Sequence, residues 1–98
     1  MSKTKTIPFD PAEYLTDDEA LATYLTQALA ADDVAHFQEA LQTVARARGM
    51  SQIAEAAGLG RESLYKALKP GTQPRFDTVQ RVLAAVGVRL SVEPVKAA

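Results

Sequence analysis

Seven side chains have the types and spacing to hold a nucleic acid. Arg61, Glu62, Tyr65 and Lys66 fall within six residues, with Lys69 just beyond, Arg75 further on and Gln52 nine residues before Arg61. On a helix the first four share one side. An arginine there can contact guanine in bidentate fashion, and a glutamate can accept from cytosine. Lys66 and Lys69 suit phosphates, which position a protein on a duplex without reading its sequence. Gly60 leaves the amides at the start of that helix open to a phosphate.

Other chemistries lack their residues. There is no cysteine, which excludes disulfides and thiolate zinc sites. The one histidine, His36, cannot build an imidazole cage and reads as a helix-surface residue. Ser51 and Ser63 have no histidine–carboxylate partners, and Asp17, Asp18 and Glu19 suit a helix start better than acid–base work. No enzyme, metal or cofactor is expected. No apolar run reaches the ~20 residues of a membrane span. Met1 to Thr6 is polar, without the apolar stretch of a secretory signal, so a cytoplasmic protein is expected.

Five helices and one strand must position these residues. Ile7-Pro8-Phe9-Asp10-Pro11 is extended or turning, which makes residues 1–15 an N-terminal segment and residues 16–98 the folded domain. Thr16 has the spacing of an N-cap with Glu19 completing a capping box. Leu21, Tyr24, Leu25, Ala28 and Leu29 then form one stripe of a helix ending near Ala31. Asp32 or Asp33 caps a second helix, with Val34, Phe37, Leu41, Val44 and Ala45 inside and a stop at Gly49. Ser51 caps a short helix, Gln52 to Ala57. Gly58-Leu59-Gly60 turns into another, Arg61 to Leu68 or Lys69. Pro70 to Phe76 is a loop, with Phe76 as its anchor. Asp77 caps the last helix, which contains Val79, Val82, Leu83 and Val86 and ends at Gly87. Arg89 to Glu93 alternates polar and apolar residues as a strand does.

A lone strand leaves its backbone groups unpaired, and the same strand of a second copy is the natural partner. Leu90 and Val92 share one face of it and are the expected dimer contacts. Charge is divided as well. Residues 1–45 carry two basic and eight acidic side chains, a net of −6, and residues 46–98 carry nine against four, a net of +5. The acidic half suits a basic partner and the basic half a polyanion.

Gln52 to Leu68 looks like a helix-turn-helix. Ala54 is small where the two helices cross, Gly58 can take the positive φ of the turn, and Ile53, Ala57, Leu59, Leu64 and Ala67 or Leu68 fall inward. In such a unit the second helix enters the major groove. Residues 49–93 resemble the Cro/repressor-type domain. From Phe9 to Pro94 the chain resembles one branch of it, the addiction-module antidote proteins, or HigA-like antitoxins. Matching stretches include Tyr24-Leu25 with Ala28-Leu29, Val44-Ala45-Arg46-Ala47-Arg48-Gly49-Met50, and Arg61-Glu62-Ser63-Leu64-Tyr65-Lys66-Ala67-Leu68. Gly71-Thr72-Gln73-Pro74 is one residue longer than the Gly-Asn-Pro expected there.

That resemblance implies an all-α, five-helix domain and an antitoxin that neutralises a small basic toxin of the RelE/ParE type. It also implies a homodimer that represses its own promoter by binding double-stranded DNA. Phe9, Asp10, Glu13, Tyr14 and Leu15 are candidates for the toxin contact, or for packing against their own domain. A stand-alone phage-type repressor and a protein-interaction module without DNA binding are the alternatives.

Overall fold

A computed structural model describes residues 17–95. Five helices account for their regular structure: α1 Asp18–Ala30, α2 Val34–Arg48, α3 Met50–Ala57, α4 Arg61–Leu68 and α5 Phe76–Val86. α1 and α2 pack on each other across a short turn, α3 packs most closely on α5, and α4 rests on α2 and α3. Each helix buries one stripe at 3/4 spacing. Leu21, Leu25 and Ala28 come from α1, Leu41, Val44 and Ala45 from α2, Ile53, Ala54 and Ala57 from α3, Leu64 and Leu68 from α4, and Val82, Leu83 and Val86 from α5. Tyr24 and Phe37 pack half-buried at the margin of this core. α3 and α4 have eight residues each, too short to persist alone in water, so burial against the longer helices holds them.

The helix starts differ from the expectation in three places. α1 is capped by Asp17, whose carboxylate accepts from the Glu19 amide at 2.9 Å, one residue later than Thr16, which lies outside the described residues. Ser51 is not a cap: α3 begins at Met50, straight after Gly49, whose φ of 100° turns the chain without a side-chain hydrogen bond. Asp77 is in the first turn of α5, where it favours the dipole, and Arg75 stands at the cap position. Asp33 does cap α2, accepting from the amides of Ala35 and His36.

Two further expectations are corrected. Phe76 anchors nothing, being 65% exposed at the start of α5. The strand at Arg89–Glu93 is absent among the described residues, where Val88 to Val95 runs without regular secondary structure. A strand requires a neighbour for its ladder, and a single copy has none to offer. Instead Val88 and Leu90 turn inward and pack half-buried on the core, while Val92 is 97% exposed. Leu90 is therefore partly engaged by the chain's own core, whereas Val92 is free of it.

Candidate nucleic-acid-binding face

The turn between α3 and α4 sets the geometry of the basic side chains. Gly58 ends α3 in the left-handed region at φ 73°. The Leu59 amide donates back to the Ala54 carbonyl at 2.8 Å and the Gly58 amide to Glu55, which closes the helix end. Arg81 of α5 donates from Nη1 to the Ala57 carbonyl at 3.3 Å. A Cβ at position 58 would stand 3.4 Å from that same flexible side chain, so it is the positive φ rather than the space that favours glycine there. Ala54, 2% exposed, is small where α3 is covered.

α4 then divides cleanly. Leu64 and Leu68 point into the core, while Arg61, Glu62, Ser63, Tyr65, Lys66 and the following Lys69 are exposed. No side chain caps the N-terminus of α4 at Gly60, so its first amides face outward. Arg61 lies along its own helix: its guanidinium stands 5.7 Å from the centre of the Tyr65 ring and donates to the Tyr65 hydroxyl at 3.2 Å. This (i, i+4) pair orients the arginine before any ligand arrives.

Ser63 and Lys66 share a shallow groove with Gln73, Pro74 and Arg75 of the loop after α4. Arg75 also pairs with Asp77 at 3.3 Å, an exposed contact. The structure thus brings Lys66 and Arg75 to one groove. Arg61, Tyr65 and Lys69 flank it on the same short element, and Gln52 sits apart from the groove on the exposed side of α3. Phe9, Asp10, Glu13, Tyr14 and Leu15, the candidates for a protein partner, lie outside the described residues.

One polar residue escaped the sequence reading. Gln38 of α2 is 4% exposed and is the buried polar side chain among the described residues. Its amide reaches the end of α4 and the loop behind it. Nε2 donates to the carbonyls of Ala67 at 3.3 Å and Thr72 at 3.0 Å and lies 3.1 Å from the Thr72 hydroxyl, while Oε1 accepts from the Gly71 amide at 3.1 Å. Val34, expected inside, is 72% exposed, but a signal was present: Gln38 stands three residues before Leu41 on the buried side of α2, where an amide without a partner would be costly.

Among the described residues there is no group of three or more acidic or histidine side chains that could hold a metal, and no helix long and apolar enough to cross a membrane. A family model described as probable addiction module antidote protein matches residues 5–94. A protein of Haemophilus influenzae, described as uncharacterized, is 45% identical over 85 residues, which cover 87% of this chain and 88% of its own length. No solved structure matches. The family match runs through all five helices and the turn between α3 and α4, and the chain belongs to this probable addiction module antidote family, which implies a toxin partner.

Proposed function

We propose that the chain is a HigA-like antitoxin of a type II toxin–antitoxin pair. It neutralises a small basic toxin of the RelE/ParE type and, as a dimer, represses its own promoter. α3 and α4 form a Cro/repressor-type helix-turn-helix, with α4 in the major groove. The observation that carries the DNA reading is α4 itself, whose outward side presents Arg61, Glu62, Tyr65 and Lys66, the last of which lines a groove with Arg75. A hairpin that merely packs would have no need of cations on both sides of such a groove. Arg61 reads a base, Lys66, Lys69 and Arg75 hold phosphates, and Gln52 contacts the backbone or an adjacent base from α3.

A gel shift with the DNA upstream of the gene against random duplex tests this. The wild-type protein prefers the upstream DNA. Arg61→Ala lowers that specific affinity by about 1–3 kcal/mol, whereas Lys66→Ala weakens binding to all sequences and reduces the salt slope by about 1. An unchanged operator affinity in Arg61→Ala refutes the placement of the recognition helix.

The dimer is the second part of the proposal. Val92 is 97% exposed in an irregular segment, and pairing with the same segment of a second copy would give both a strand partner. Because Leu90 packs on its own core, Val92 is the cleaner probe. Val92→Lys shifts the species seen by light scattering from dimer toward monomer. A dimer unaffected by Val92→Lys places the interface on the helices.

A further inference from the structure

The geometry points to Gln38 as the positioning residue that clamps the loop after α4, and so sets where Lys69 and Arg75 meet the DNA backbone. The inference rests on the reading of α4 as the DNA-facing helix. Gln38 sits on α2, 29 to 34 residues from its partners in sequence, and reaches across the core to them. Its amide uses both ends. Oε1 takes the Gly71 amide, and Nε2 serves the Ala67 and Thr72 carbonyls.

Thr72 extends the clamp. Its hydroxyl lies 2.8 Å from the Lys69 carbonyl and 3.3 Å from that of Lys66, so it closes the open end of α4. Gly71, at φ 92°, lets the chain reverse there. The four-residue stretch Gly71 to Pro74 is thereby fixed at its first two residues, and Arg75 emerges immediately after it. Lys69 lies just before the clamp. Both phosphate-binding candidates of this region therefore take their positions from one buried amide, which makes no contact with DNA itself.

The test compares wild type with Gln38→Leu, Gln38→Glu and Thr72→Val. Each is measured for amide exchange at Gly71 and for binding to upstream and random duplex across a salt series. In Gln38→Leu the Gly71 amide exchanges faster, affinity for both duplexes falls about tenfold, and the salt slope shrinks by about 1 to 2, as expected when one or two phosphate contacts are lost. Loss of stability alone would not change the salt slope of the folded fraction.

Gln38→Glu adds a pH readout. A buried carboxyl has its pKa raised above the ordinary ~4.3, because burial disfavours the charged form. The carboxylate cannot donate to the Ala67 and Thr72 carbonyls, whereas the protonated acid can donate to one of them. Binding by this variant relative to wild type therefore improves as pH falls from about 7.5 to about 5.5.

If Gln38→Leu does not fold, Thr72→Val carries the same expectation at reduced size, since it removes only the hydroxyl. Unchanged Gly71 exchange in the folded variants overturns the clamp. Faster exchange with unchanged affinity and salt slope overturns its role in DNA binding. Wild-type protein that binds neither duplex overturns the DNA reading and this proposal with it, an outcome distinct from the other two because it appears before any substitution.

Discussion

Leu64→Ala lowers the stability of the domain by about 2–5 kcal/mol, the cost of emptying a leucine site in a packed core. Leu64 is fully buried, on an eight-residue helix that has no side-chain cap at its start. Few other anchors hold α4, since Leu68 is the other fully buried residue on it. Domains of this size have roughly 5–15 kcal/mol in all, so the loss is a large fraction of the total. Leu64 stands between Arg61 and Lys66, and the same substitution loosens the candidate DNA-binding face before the rest of the domain. Urea unfolding followed by circular dichroism measures the stability. Exchange at the amides of α4 shows whether that helix opens first. A loss below about 1 kcal/mol would mean that the site collapses around the smaller side chain and that packing at α4 is looser than the burial implies.

Most of this architecture was legible in the chain. Apolar residues at 3/4 spacing placed all five helices within a residue or two, because each helix buries a single stripe. Gly58 announced its turn, since a helix end in the left-handed region strongly favours glycine. Caps were less legible. Where several oxygen-bearing residues stand together, as at Thr16 to Glu19, local spacing does not fix which one caps, and α3 starts after Gly49 with no side-chain cap at all. The strand pattern at Arg89 to Glu93 was real as alternation. Alternation shows that one face is buried, and Val88 and Leu90 bury theirs against helices of the same chain without a ladder.

The site was legible to a similar degree. The exposure of Arg61, Glu62, Tyr65 and Lys66 follows from the position of Leu64 and Leu68 on α4, and the structure bears that exposure out. That Lys66 and Arg75 line one groove depends on how the loop folds back, which no local pattern encodes. Gln38 escaped for the same reason. A polar residue on an apolar stripe can be a surface residue at the stripe's edge or a buried one with distant partners. Only the tertiary fold shows that Gly71 and Thr72 arrive opposite it.

Deletion of residues 1–15 abolishes most of the toxin affinity while operator binding persists. The expected toxin contact combines Phe9, Tyr14 and Leu15 with Asp10 and Glu13. Buried aromatics carry much of the energy at such interfaces, and charges set the rate of encounter and the choice of partner. Several carboxylates of the acidic half are already engaged within the domain. Asp17 and Asp33 accept from helix amides, and Asp18 pairs with Arg48. Asp10 and Glu13 lie outside the described residues and are the acidic groups assigned to a basic partner. The deletion leaves Asp17, the cap of α1, in place, so the helices and the candidate DNA-binding face keep their own support. Calorimetry with the purified toxin shows affinity falling at least about a hundredfold, equivalent to about 2.7 kcal/mol, and the truncated protein no longer protects cells that co-express the toxin. The point substitutions separate the two contributions. Asp10→Asn with Glu13→Gln slows association and flattens its salt dependence, whereas Tyr14→Ala speeds dissociation. A truncated protein that binds toxin as tightly as the full chain moves the contact onto the helices. If that contact lies on α4, toxin and operator compete for one surface, and adding toxin releases the DNA in the gel shift.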